Sequence, residues 1–300
     1  MKTQAVTQKI YYHNHELTEL LSLLKRHRIQ PKKRLGQTFL FKRFIAEEIV
    51  RLAEITPQDT VVEIGAGLGV LTTLLAEQSA KVIALEYDSA LVSILQKTMA
   101  HKNVDIIRAD ALNFDYRKVF SRSQTKIKII GNLPYYITSP LLFKLFKLKS
   151  MIEVLVVMIQ KEVADRIVAP PGTRDYGTIS IFSQLFSDVS KQLTVTKECF
   201  YPPPQVDSEV VKFTIYQTPV VEVKDENFFE KLVRVSFSQR RKTLLNCLKS
   251  AHYFNRGKQE ILTALECSGI NPQRRSETLT IKEFNSLCQQ IASIKPLPPR

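Results

Sequence analysis

Cysteine is scarce and scattered. Its four residues, Cys199, Cys247, Cys267 and Cys288, lie far apart and form no C-x-x-C pair. That spacing supports neither a zinc site nor a disulfide framework, so no metal is expected and the thiols should be reduced and buried. Long apolar runs are missing too: no segment approaches the roughly 20 residues that span a bilayer. Residues 1–30 are polar and basic with scattered His, and lack the apolar centre of a secretory signal, which predicts a cytoplasmic chain. There is no internal repeat and no low-complexity tract. Acid is absent altogether between Lys25 and Arg43, where eight Lys or Arg occur.

What is present describes a soluble globular protein. Three hundred residues, 44% of them hydrophobic, can bury a full core and suggest one large domain with a smaller partner. Against 29 Asp and Glu stand 43 Lys and Arg, leaving a net charge of +14 and a pI near 9.6. A surplus of that size calls for a polyanionic partner. No basic amphipathic helix carries a clear aromatic face, so nucleic acid is favoured over a membrane. In the acid-free stretch, Lys32, Lys33 and Arg34 precede Phe39, Leu40 and Phe41. Apolar residues of that size do not suit a solvated linker. The stretch reads instead as a loop pinned to the fold and facing phosphates.

Residues 14–28 form a short helix pattern with Leu17, Leu20, Leu21 and Leu24 on one side and no readable function. A second helix buries Phe44, Ile45, Ile49 and Leu52. From there strand and helix patterns alternate, with strands at 61–64, 81–85, 104–108, 127–130, 154–159, 193–196 and 210–216. Alternation of this kind predicts a parallel sheet with helices on both faces. Beyond Pro219 it stops, and residues 226–249, 256–268 and 280–293 read as helices of a small all-helical domain.

The strand ends carry the chemistry. After the first strand comes Gly65-Ala66-Gly67-Leu68-Gly69, where glycines let a ligand approach the backbone at a helix N-terminus. The spacing is G-x-G-x-G, not the G-x-G-x-x-G of dinucleotide binders. The next strand ends in Glu86, 21 residues after Gly65, where a carboxylate can accept from two ribose hydroxyls. The third leads to Asp110, placed to accept from the amino group of an adenine. Each acid alone serves equally well as a helix cap, but three successive strand ends with ligand-type residues point to an adenosyl ligand. No Arg or Lys is supplied for a pyrophosphate, so S-adenosylmethionine is favoured over a dinucleotide.

The fourth strand delivers Gly131-Asn132-Leu133-Pro134-Tyr135-Tyr136. Asn132 offers a carbonyl acceptor, Pro134 brings no N–H after Leu133 and stiffens the turn, and Tyr135 can present its ring to a planar ligand. Such a loop can grip an amino group on an aromatic ring. Asn-Leu-Pro-Tyr resembles the catalytic motif of amino-methyltransferases that use S-adenosylmethionine.

From about Pro31 to Phe284 the chain resembles the ribosomal RNA adenine N6,N6-dimethyltransferases, in particular the bacterial branch acting on the small subunit. The likeness rests on Lys33-Arg34-Leu35-Gly36-Gln37-Thr38-Phe39-Leu40, the Gly65 turn, Glu86-Tyr87-Asp88, Asp110-Ala111, the Asn132 turn, Phe200-Tyr201-Pro202-Pro203-Pro204 and Phe237-Ser238-Gln239-Arg240-Arg241-Lys242-Thr243-Leu244. It implies a class I, Rossmann-like methyltransferase with a mostly parallel seven-stranded sheet. The domains implied are an N-terminal extension (1–30), a catalytic domain (31–218) and a helical RNA-binding domain (219–300). Thr38, Leu40, Gly65, Gly67, Glu86, Asp110 and Asn132 would hold the cofactor. The family usually carries Asn where this chain has Thr38, which leaves a backbone contact there. Asn132, Leu133, Pro134, Tyr135 and Phe200 would act on the adenine, with Tyr135 and Phe200 sandwiching it. Lys32, Lys33, Arg34, Arg240, Arg241 and Lys242 would bind RNA phosphates. The implied substrate is two adjacent adenosines near the 3′ end of 16S rRNA in small-subunit precursors, and the chain would work as a monomer. The rival readings are a 23S rRNA methyltransferase of the antibiotic-resistance type, a non-catalytic RNA-binding assembly factor and a DNA adenine methyltransferase. The DNA enzymes usually carry Pro-Pro where this chain has Leu133-Pro134.

Overall fold

The computed structural model describes residues 15–123, 125–239, 241–249 and 257–294. Its strands are β1 (Phe39–Leu40), β2 (Thr60–Ile64), β3 (Lys81–Glu86), β4 (Val104–Arg108), β5 (Ile127–Asn132), β6 (Ile152–Gln160), β7 (Ser187–Val195), β8 (Phe200–Tyr201) and β9 (Ser208–Ile215). Helix α1 covers residues 15–26. It is followed by α2 (Arg43–Leu52), α3 (Val70–Gln78), α4 (Ser89–Thr98), α5 (Arg117–Phe120), α6 (Thr138–Phe146), α7 (Lys161–Val168) and α8 (Thr178–Phe186). The last four are α9 (Glu226–Ser236), α10 (Leu244–Lys249), α11 (Lys258–Cys267) and α12 (Ile281–Ser293). Contacts group the described residues into two compact units, one within 1–164 and 188–215, the other within 165–187 and 216–300.

Seven strands form one sheet in the order β4-β3-β2-β5-β6-β9-β7. β2 pairs in parallel with β3 and β5, β3 with β4, and β5 with β6, whereas β6 and β9 run antiparallel. The centre reads as continuous apolar sequence because both faces are covered: in β6 the run Val154 to Ile159 is buried throughout. Register then decides what meets at the carboxyl edge. Ile64 is level with Leu85 on one side and with Gly131 on the other. The next residues, Gly65, Glu86 and Asn132, therefore emerge side by side. Gly131 is the residue that permits this pairing, because a Cβ there would collide with the carbonyl oxygen of Ile64.

A second, two-stranded sheet was not anticipated. β1 pairs antiparallel with β8, Phe39 opposite Tyr201 and Leu40 opposite Phe200, and Phe41 N–H donates to the Cys199 carbonyl. Two residues per strand carry no periodicity, so the pairing leaves no mark in the sequence. In α2, Phe44 is 60% exposed rather than buried, and Ala46 and Val50 join Ile45, Ile49 and Leu52 on the inner face. In α1, Leu20 and Leu24 are buried and Leu21, at the edge of the apolar stripe, is exposed.

In the second unit the segment read as one helix over 226–249 is two. α9 starts at an Asp225 cap that accepts from Phe228 N–H and ends at Ser236, whose hydroxyl turns back to the Leu232 carbonyl. The polar residues that follow, from Ser238 to Thr243, offer no apolar side chain at helical spacing, and Leu244 N–H is taken by the Arg274 carbonyl instead. Aromatic contacts knit this unit: Tyr176 meets Phe237 and Phe182 meets Phe229 edge-on, and Phe237 meets Phe284 at a tilt. Residues 165–187 thus pack with the C-terminal helices. No helix among the described residues is long and apolar enough to cross a membrane, and no cluster of His, Cys, Asp or Glu among them could hold a metal ion.

Candidate active site

At the carboxyl edge of β2, β3 and β5 lies a cavity of about 330 Å³. Its walls include Thr38, Leu40, Gly65, Gly67, Glu86, Asp110, Asn132, Leu133, Pro134 and Tyr135. Nine of these ten come from four separate strand ends or the loop before β1, and the parallel register gathers them.

The glycine turn is built by backbone conformation. Gly65, Gly67 and Gly69 have φ of +79°, +58° and +86°, a left-handed sequence that explains the alternate spacing. Gly65 and Ala66 N–H both donate to the Leu85 carbonyl, which ties the turn to the end of β3. Beside it, Glu86 accepts from Gly67 N–H at 2.9 Å through Oε2 and from Asp88 N–H at 2.8 Å through Oε1. Burial pushes the Glu86 carboxyl above its ordinary range, opposed by those backbone donors. A second buried acid, Glu63, accepts from the Thr72 hydroxyl at 2.5 Å. Complete burial lifts its pKa to about 7, against the Thr72 hydrogen bond and helped by the charge of Glu86. Sequence reasoning passed over Glu63 as an ordinary strand residue.

Asp110 caps a turn and stands on the cavity wall. Its carboxylate caps the following turn, accepting from Leu112 N–H at 2.9 Å and Asn113 Nδ2 at 2.7 Å, while the residue also lines the cavity.

The Asn132 turn is held from three sides. Leu133 N–H donates to the Met158 carbonyl at 3.0 Å, so Leu133 is fixed to β6. Asn132 Nδ2 donates to the Thr38 carbonyl at 3.3 Å. With its NH₂ engaged there, the amide presents Oδ1 as its acceptor. Tyr135 hydroxyl lies 3.4 Å from Ser208 Oγ, and burial raises its pKa. Tyr136, unassigned from sequence, also lines the cavity and is 61% exposed. Its ring covers Gly36, whose φ is +62°.

Two expectations fare differently. Phe200 is not on the cavity wall; at 3% exposure it packs in the apolar cluster with Leu40, Ile45 and Val210. In this structure it supports Leu40 from across the β1–β8 pair. Lys32 is not a free cation, because its Nζ lies 2.8 and 2.7 Å from the two oxygens of Asp88. Gln37 Nε2 donates to the same carboxylate at 2.8 Å, and Gln37 Oε1 accepts from Lys32 N–H. Despite desolvation, these donors hold the Asp88 carboxyl below its usual range. Lys33 and Arg34 stay exposed, as do Arg241 and Lys242 in the second unit, and Arg240 lies outside the described residues.

A mostly parallel sheet with a glycine turn after β2, acids at the end of β3 and just after β4, and an Asn-Leu-Pro-Tyr turn at the end of β5 defines a class I methyltransferase of Rossmann-like fold. The family is narrower still: residues 28–293 match the family model described as ribosomal RNA adenine dimethylase, and the chain belongs to that family. The chain is 42% identical over 278 residues to the ribosomal RNA small subunit methyltransferase A of Syntrophus aciditrophicus, covering 92% of this chain and 99% of that one. The protein of the same name from Bacillus cytotoxicus is 44% identical over 269 residues, covering 88% and 92%. Among solved structures, a dimethyladenosine transferase from Plasmodium falciparum superposes with a TM-score of 0.71 at 29% identity, covering 82% of this chain and 94% of that one. The 23S rRNA methyltransferase ErmE superposes with a TM-score of 0.62 at 23% identity, covering 85% and 100%, and shares the fold.

Proposed function

We propose that the protein transfers methyl groups from S-adenosylmethionine to N6 of two adjacent adenosines near the 3′ end of 16S rRNA in small-subunit precursors, giving N6,N6-dimethyladenosines. The observation that carries this reading is the Asn132–Thr38 hydrogen bond, which commits the amide nitrogen and leaves Oδ1 to accept from a target amine at the cavity.

The cavity fits the adenosyl cofactor. Glu86 offers a buried carboxylate to ribose hydroxyls, Asp110 an acceptor to adenine N6, and Gly65 and Gly67 a backbone without side chains; Thr38, Leu40 and Asn132 complete the wall. S-adenosylmethionine, when bound, supplies a sulfonium methyl group that is electrophilic already, so alignment of the nucleophile matters more than a strong base.

The chain's own residues deal with the adenine amine, whose lone pair is delocalised into the ring. Acceptors on its hydrogens, Asn132 Oδ1 and the Leu133 carbonyl, favour the pyramidal form in which that lone pair is available. Tyr135 presents a ring face to the extruded base, and stacking of this kind contributes roughly 1–3 kcal/mol. We leave that role to Tyr135, since Phe200 is enclosed in the core. Lys33, Arg34, Arg241 and Lys242 are exposed cations for RNA phosphates, and Lys32 contributes chiefly by anchoring the loop that carries its neighbours. A cytoplasmic location and action as a monomer go with this reading.

The test is incubation with immature small subunits and labelled S-adenosylmethionine, followed by mapping of the methylated bases. Label in two adjacent adenosines near the 3′ end of 16S rRNA is the expected result. Label at other positions of 16S rRNA, label only in 23S rRNA when large subunits are offered alongside, or no label overturns the assignment.

A further inference from the structure

Helix α1 precedes the segment that the family model matches, which begins at residue 28. Nevertheless its Leu20 is on the wall of the cavity, with Phe39, Gly67 and Leu68. Leu20 and Leu24 are buried in a cluster with Phe39, Phe41 and Leu91, against which Leu17, Ile29 and Leu68 pack. The helix therefore lies over the glycine turn as well as over β1. Polar contacts fix its position. Glu16 accepts from Lys42 Nζ at 2.7 Å and from Arg43 N–H at 3.0 Å. The Lys42 side chain is 7% exposed and that of Glu16 24%, so this pair is shielded from solvent in a way that surface ion pairs are not. Further along, Lys32 and Gln37 fasten the same stretch of chain to Asp88, two residues beyond Glu86.

We propose that α1 is part of the cofactor site, with Leu20 forming an apolar contact to bound S-adenosylmethionine or S-adenosylhomocysteine beside the glycine turn. The proposal rests on the methyltransferase reading given above. Leu24 separates it from a purely structural role: it is buried in the same cluster and is not on the cavity wall. Truncating either leucine costs core packing, but only Leu20 removes apolar surface from the ligand.

The chain contains no tryptophan, so Leu20→Trp places a single indole at the proposed contact. Its emission should change in intensity and wavelength when S-adenosylhomocysteine saturates the full-length protein. By calorimetry, Leu20→Ala should bind S-adenosylhomocysteine roughly tenfold more weakly. Leu24→Ala should melt at lower temperature and keep wild-type affinity when measured well below its transition. An unchanged indole spectrum at saturation, or equal affinity losses in Leu20→Ala and Leu24→Ala, overturns the proposal while leaving the enzyme assignment intact. Failure of the wild-type protein to bind S-adenosylhomocysteine removes the assignment itself.

Discussion

The side-chain amide of Asn132 is held by a backbone atom, the carbonyl of Thr38, 94 positions earlier in the chain. Through this bond the basic loop sets which end of the amide faces the cavity. Because the bond uses the Thr38 carbonyl, the side chain at that position is secondary. Thr38→Ala is expected to keep kcat within about threefold of wild type, since the acceptor is retained. A loss as large as that of Asn132→Ala would show that the Thr38 side chain itself is needed.

Tyr135 points its hydroxyl at Ser208, so its ring is the part left for the base. Tyr135→Phe should retain nearly all activity. Tyr135→Ala should weaken productive RNA binding on the order of tenfold, the loss of one base–aromatic stack. Steady-state kinetics with saturating cofactor distinguish the two. If Tyr135→Phe is inactive, the hydroxyl takes part in the chemistry and the ring is not what matters.

Glu63 gives a prediction about pH. Its carboxyl titrates near 7 in the fold, against an ordinary 4.5. The unfolded chain therefore holds fewer protons between those values, and stability declines as pH rises through that window and is flat above it. Glu63→Gln keeps an acceptor for Thr72 and carries no charge. It should stabilise the protein at pH 8 by on the order of 3 kcal/mol, the equivalent of the shift, and by little near pH 4.5. Denaturant melts at the two pH values check this; equal stability changes at both would show that the charge is not what costs the fold.

The cations of the loop divide into two roles. Lys33→Gln and Arg34→Gln should each flatten the salt dependence of RNA binding by about one unit of slope. Lys32→Gln should leave that slope nearly unchanged and lower the melting temperature, because its ammonium is bound to Asp88. Filter binding across a salt series reads both. An equal change of slope for all three would place Lys32 on the RNA.

Much of the site was readable because each ligand-type residue ends a strand and parallel pairing brings strand ends level. Gly65, Glu86 and Asn132 follow residues that are directly paired. The positions of Phe200 and Leu20 were not readable. Phe200 is enclosed by the short β1–β8 pairing, a long-range contact with no local pattern. Leu20 reaches the cavity because Glu16 finds Lys42, and nothing in the leucine spacing says which surface a helix will meet. For Lys32, composition could show only its charge. Asp88, which neutralises it, is 56 positions away.

The most direct test is single-turnover methylation of immature small subunits by Asn132→Ala at saturating S-adenosylmethionine, with the modified bases mapped and RNA affinity measured alongside. The two adjacent adenosines near the 3′ end of 16S rRNA should remain the targets, RNA affinity should be kept, and the rate should fall about 10²–10³-fold, as when a preorganised polar contact to a transition state is deleted. An undiminished rate with cofactor and RNA both bound would contradict the role given to Asn132.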